Sequence, residues 1–150
     1  VLTNQVRAFG VSEDGKTLLL SYAGSADVLA YPVLTPGTVG KPRVALHSCS
    51  ADGIASDRHG LLYVLHARQR LVEIFSPNGA CLTRLRLEEA PIHCSVQAGK
   101  LYVLTRSTLL AITAPDVAVP WRRARVQGWS RHRALGRQGP PGGRSKTRQG

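Results

Sequence analysis

Ala51-Asp52-Gly53-Ile54-Ala55-Ser56-Asp57-Arg58-His59-Gly60-Leu61-Leu62-Tyr63-Val64 reads as a short strand, a tight turn and a second strand. Ile54 and Ala55 open the first apolar run. Asp57-Arg58-His59-Gly60 carries turn chemistry, with Gly60 free to take a positive φ. Leu61 to Leu65 is a run rich in strand formers. Asp52 stands just before the first strand, at the end of an element, where a side chain is presented rather than buried.

The same unit recurs on either side. Gly15, Gly60 and Gly99 mark equivalent turns, each followed by an apolar strand: Leu18-Leu19-Leu20, Leu62-Tyr63-Val64 and Leu101-Tyr102-Val103. The spacings are 45 and 39 residues. Ahead of the central stretch, strands are expected over residues 6–11, 17–22, 28–33 and 43–47. Ser12 to Lys16 forms an Asp-Gly turn and Thr35 to Pro42 a loop. Pro32 places the end of its strand at a sheet edge. Beyond the central stretch, strands are expected over residues 71–75, 82–87, 92–96, 101–105 and 109–112, with Ser76-Pro77-Asn78-Gly79 as a hairpin turn. A period near forty with about four short strands per unit is the signature of β-propeller blades. A β-sandwich would also show short strands at intervals, but not the recurring Gly-x-Leu-Tyr-Val unit. The fold class is therefore all-β, a partial propeller of about two and a half blades over residues 1–116. Such a partial ring leaves open edges and an apolar blade face. Further blades or self-association must cover them. A chain that opens on Val1 in strand-like sequence is expected to be a fragment or a processed product.

The formal charge is +11, but residues 1–116 hold eleven basic and nine acidic residues, a balance of +2. Residues 117–150 hold nine basic residues and no acidic one. This second segment carries both tryptophans, Trp121 and Trp129, and the run Gly139-Pro140-Pro141-Gly142-Gly143. It sustains no period of 2 or 3.6 and is expected to be a disordered tail. Nucleic-acid binding, if any, belongs to that tail. An extension without a selected role accounts for the composition more simply.

Cys49, Cys81 and Cys94 are odd in number and form no CxxC pair. Neither a disulfide framework nor a structural zinc site is expected, and the thiols suit a reducing, cytoplasmic setting. No apolar run reaches transmembrane length. There is no HExxH, no phosphate-binding glycine loop and no Ser-His-Asp arrangement. His47, His59, His66, His93 and His132 share no metal-ligand spacing; solvated or capping roles are expected for His59 and His66. Cys94, between Ile92 and Val96, reads as a small core residue.

The series Ala51-Asp52-Gly53-Ile54-Ala55-x-Asp57-x-x-Gly60-x-Leu62-Tyr63-Val64, Val72-Glu73-Ile74-Phe75-Ser76-Pro77-Asn78-Gly79, Leu85-Arg86-Leu87 and Leu101-Tyr102-Val103-Leu104-Thr105-Arg106-Ser107-x-Leu109 resembles the C-terminal half of the gluconolactonase/regucalcin (senescence marker protein-like) family. Val11 to Leu18 resembles its preceding blade. The resemblance covers about residues 6–112. It implies a six-bladed propeller with one divalent cation, calcium first, in the central channel. It also implies hydrolysis of sugar lactones and related cyclic esters, the metal polarising the carbonyl. Asp52 then falls at the position of a metal ligand and catalytic base. Without the resemblance, Asp52 is a plain Asp-Gly turn or strand cap. The family's asparagine ligand is replaced by Arg7, and its glutamate ligand has no counterpart. The 45-residue repeat sets Arg7 and Asp52 at equivalent starts of adjacent blades, which offers two outcomes: a bidentate ion pair in place of the metal, or Arg7 turned to solvent with Asp52 left free to bind it. A non-catalytic propeller module of the NHL kind, binding protein or RNA, is the rival function.

Overall fold

The computed structural model describes residues 5–35, 37–113 and His132–Arg133. Every regular element in these residues is a strand: β1 (Val6–Val11), β2 (Thr17–Tyr22), β3 (Val28–Thr35), β4 (Thr38–Val39), β5 (Arg43–Leu46), β6 (Gly53–Ser56), β7 (Leu62–His66), β8 (Leu71–Phe75), β9 (Cys81–Arg86), β10 (Pro91–Gln97), β11 (Lys100–Thr105), β12 (Thr108–Thr113) and β13 (His132–Arg133). No helix among the described residues is long and apolar enough to cross a membrane.

The strands form three sheets, each an antiparallel meander. The first runs β1-β2-β3, with β4 and β5 both pairing with β3; the second runs β6 to β9, and the third β10 to β13. The chain is a partial β-propeller with three blades. Gly15, Gly60 and Gly99 take φ of 70°, 80° and 70° at the matching turns, a left-handed conformation open to glycine at little cost. The third turn is the tightest. Gln97 pairs directly with Lys100, and Ala98 is itself at φ 50°.

Two expectations need correction. The Thr35–Pro42 loop contains β4, which pairs through Val33 with Val39. The third blade, expected as a half, gains a fourth strand when Leu109 and Thr108 pair with His132 and Arg133. The boundary near residue 116 and the rest of the tail lie outside the described residues.

The first strands of successive blades lie side by side, β1 against β6 and β6 against β10. Ser12 forms a parallel bridge with Ser56, and the Glu13 amide donates to the Ser56 carbonyl at 3.0 Å. The Glu13 carboxylate then ties all three blades at one end. It accepts from the Arg58 amide at 3.1 Å and from the Ala98 amide at 2.9 Å. Those two amides belong to the turns that the repeat had marked as equivalent.

The core divides at the middle blade. Along β7 the alternation of side chains sends Leu62 and Val64 into one apolar cluster and Tyr63 and Leu65 into another. The first cluster joins Leu19, Val28, Ala30 and Leu46 of blade one, the second Val96, Leu101, Val103 and Leu110 of blade three. The second blade thus has buried residues on both faces. Blade one keeps an exposed apolar stripe on its other side, with Phe9 61% and Val11 52% accessible.

Close packing of the inner strands depends on Gly10. A Cβ there would run into the backbone carbonyl of Ile54, which cannot yield without moving β6. Gly10→Ala is expected to lower stability by about 1–3 kcal/mol, read as a shifted urea midpoint with blade two disturbed along with blade one.

Candidate functional site

Asp52 sits where the chain crosses from blade one to blade two. Its amide donates to the Leu65 carbonyl at 2.9 Å, and its Oδ2 accepts from the Ala67 amide at 2.8 Å. Both contacts hold the end of β7 against the start of β6. Arg7 reaches the same place from a β-bulge, at the register shift between Val6 and Ala8. Its Nε and Nη2 donate to Asp52 Oδ1 at 2.9 and 2.5 Å, and its Nη1 donates to Ser50 Oγ at 2.8 Å. Arg7 and Asp52 do converge, 45 residues apart. The geometry differs from the expected fork, however. Both guanidinium bonds fall on one oxygen, because the Ala67 amide already engages the other.

This arrangement does not fit a divalent cation at Asp52. Both carboxylate oxygens have donors, and the guanidinium charge lies where the charge of an ion would be. Calcium needs six to eight oxygen ligands, and the position where the resemblance implied an asparagine ligand holds the Arg7 guanidinium. In this structure Asp52 links Arg7 to the Ala67 amide, and Arg7 in turn reaches Ser50.

A second aspartate is more deeply placed. Asp57, 5% accessible, accepts from the His59 and Leu61 amides, each at 2.9 Å, and from the Tyr63 hydroxyl at 3.2 Å. Burial, and then the Asp57 charge, push the Tyr63 hydroxyl up from its ordinary value. Asp57 was legible as a turn residue; its role as the anchor for a buried tyrosine was not. The need of a buried Tyr hydroxyl for an acceptor was the available signal.

A further cluster forms where the crossing segment, three residues before Asp52, meets β7 and β8. Glu73 on β8 stands opposite Val64 of β7 and Arg84 of β9. Its Oε2 is 2.9 Å from His66 Nε2, and its Oε1 accepts from Arg84 Nε at 2.6 Å. The His66 and Glu73 side chains are 13% and 14% accessible. Cys49, 5% accessible, completes the group. Its sulfur and the ligand atoms of His66 and Glu73 all lie within 4.8 Å of one another. The three residues share a cavity of about 780 Å³ with Leu71, Phe75 and Arg86. His66 is thus neither solvated nor a cap, contrary to the sequence expectation. His59 is exposed, as expected.

All three cysteines are free thiols. Burial, aided by Glu73 and Cys81, pushes Cys49 up to about 11, and burial pushes Cys94 up to about 12. Cys94 is a core residue at 3% accessibility, as its flanking residues implied.

No protein-family model matches the chain, and no curated protein does. Similar solved structures do exist. Hsv2 of Kluyveromyces lactis superposes with a TM-score of 0.60 at 14% identity, over 77% of this chain and 35% of its own. The calcium-binding protein regucalcin of Agrobacterium tumefaciens gives 0.55 at 17%, over 77% of this chain and 40% of its own. A gluconolactonase of Xanthomonas campestris gives 0.52 at 21%, over 67% and 34%. This chain spans about a third to two-fifths of those structures. At such identities the likeness is one of fold, and it agrees with the propeller reading.

Two outcomes follow from these contacts. Arg7→Ala should cost about 1 kcal/mol or less, because the pair is part-exposed. Asp52→Ala should cost more, about 1–3 kcal/mol, because it also leaves the Ala67 amide without its acceptor; chemical denaturation of both variants measures the difference. Near neutral pH, iodoacetamide should label exposed Cys81 in the folded protein and reach Cys49 and Cys94 only in denaturant, as counted by intact mass.

Proposed function

We propose that this chain is a three-blade segment of a lactonase-type propeller, of the gluconolactonase and regucalcin kind, in which the site carboxylate is held by an internal cation and lactone hydrolysis is absent. The ordered motifs around Asp52 and Tyr63 support the lactonase kinship, and the propeller fold is compatible with it. The observation that carries the conclusion is the pair of Arg7 hydrogen bonds on Asp52 Oδ1. Asp52 cannot serve as a general base toward water while its oxygens are engaged. A guanidinium beside it also opposes the arrival of calcium. In the complete propeller, further blades or a second copy would cover Phe9 and Val11.

The same ion pair is also compatible with a second reading, a non-catalytic propeller module of the NHL kind that binds protein or RNA. Calorimetric titration with Ca²⁺ and Mn²⁺, together with a sugar-lactone hydrolysis assay, separates the possibilities. The parent protein should show neither binding nor hydrolysis at Asp52. Arg7→Asn should gain cation binding, and Arg7→Asn combined with Asp52→Ala should lose it again. Cation-dependent hydrolysis by the parent, abolished in Asp52→Ala and unchanged in Arg7→Asn, would overturn the proposal. An Arg7→Asn variant that still ignores both cations would favour the binding module.

A further inference from the structure

The cluster beside the inter-blade cavity has a donor set that the Asp52 position lacks. It offers a thiol sulfur, an imidazole nitrogen and a carboxylate oxygen. Each comes from a different part of the fold. Cys49 lies on the segment that crosses from β5 to β6, His66 ends β7, and Glu73 is central in β8. The three sites are 24 residues apart at most and carry no recognisable spacing, which is why the absence of a CxxC pair suggested that no zinc site would be found. All three are largely withdrawn from solvent.

We propose that Cys49, His66 and Glu73 form a zinc site with three protein ligands and one open position. Soft sulfur with imidazole and a single carboxylate suits Zn²⁺ and not a hard cation such as calcium. The separations are within reach of coordination. Bonds of about 2.0 Å to nitrogen or oxygen and about 2.3 Å to sulfur, at a tetrahedral angle, require ligand atoms about 3.3–3.6 Å apart. The His66–Glu73 separation of 2.9 Å has to open slightly. The sulfur, within 4.8 Å of both, has to close by about 1 Å, a displacement that side-chain rotation supplies. Glu73 Oε2 and His66 Nε2 already face each other, so the ion enters between atoms that are aligned.

Arg84 is a positioning residue for this site. Its Nε bond to Glu73 Oε1 occupies one carboxylate oxygen and turns the other toward His66, in the manner of the outer partners that orient metal ligands. Phe75 and Leu71 supply an apolar wall. Zinc binding forms a sulfur–zinc bond and breaks the Cys49 S–H bond, and it replaces the Nε2–H bond that His66 directs at Glu73 Oε2 with a zinc–nitrogen bond; the thiol proton leaves to water, and the imidazole proton moves to Nδ1 or to water. The fourth position faces the cavity and takes a water molecule. This site shares no ligand with Asp52, and its existence is independent of the lactonase reading.

The test uses the full chain and the metal alone. Titration with Co²⁺ as a spectroscopic stand-in for Zn²⁺ should saturate at one equivalent. It should produce the visible bands of a tetrahedral ion together with a thiolate-to-cobalt charge-transfer band, and added Zn²⁺ should displace both. Loss of an outer partner alone weakens metal binding about 10–100-fold, so Cys49→Ser and His66→Gln should each weaken it by more than about 100-fold. Cys81→Ser should leave the spectrum unchanged. Absence of the charge-transfer band in the parent, or its loss in Cys81→Ser and survival in Cys49→Ser, overturns the proposal. X-ray absorption on the zinc-loaded parent needs no variant to fold. One sulfur at about 2.3 Å with nitrogen or oxygen neighbours at about 2.0 Å supports the site, and a shell of nitrogen and oxygen alone refutes it.

Discussion

The structure depends on a middle sheet whose inner strands have no solvent face. The four residues of β6 and the first four of β7 are buried, and alternation along β7 divides its side chains between two separate cores. Neither outer blade can form its core alone. Blade one completes its cluster with Leu62 and Val64, and blade three with Tyr63 and Leu65. Burial of apolar surface, at about 25 cal/mol per Å², therefore rewards stacking of the blades rather than formation of any single one. The close approach of Gly10 to Ile54 follows from the same demand, because inner strands that stood farther apart would open a gap between the two layers.

Against this background the polar groups at the crossing segment have a common logic. Asp52, Arg7 and Ser50 hold the chain where it leaves one blade for the next. Cys49, His66 and Glu73 occupy the wider part of the same inter-blade space, farther out along the sheet. In one group both carboxylate oxygens already have donors and a guanidinium charge lies beside them. The other presents three unlike ligand atoms around a common point. The proposed zinc site is therefore separate from the carboxylate that the family resemblance singles out.

Much of the strand pattern was legible because apolar runs and turn glycines alternate with few interruptions. Val6 to Val11, Thr17 to Tyr22 and Leu71 to Phe75 were readable to the residue. β4 was not, since Thr38 and Val39 lie between Pro and Gly residues and pair only through the outer edge of β3. β13 was not, since its two residues stand in arginine-rich sequence without alternation. The Arg7–Asp52 contact was legible from the repeat together with the family's asparagine position, because equivalent positions in a propeller converge. The count of hydrogen bonds on each oxygen was not, since the Ala67 amide that claims Oδ2 is positioned by the turn after β7. The cysteine cluster left no trace in spacing. Its members meet only because the fold brings the crossing segment against the end of β7 and the middle of β8.

The Glu13 contacts have a consequence for how the chain unfolds. In repeat proteins, stability is commonly a sum of the worth of each unit and of its interface with the next. Such a sum allows terminal units to fray independently. Here one carboxylate in blade one binds the turn of blade two and also the turn of blade three. That introduces a coupling between units that are not neighbours in the series. Loosening the third blade withdraws a hydrogen bond from the first, with no need for the second to change. The segment is therefore closer to a single cooperative unit than to a row of three, and its populated intermediates should be fewer than a nearest-neighbour chain of the same length would have.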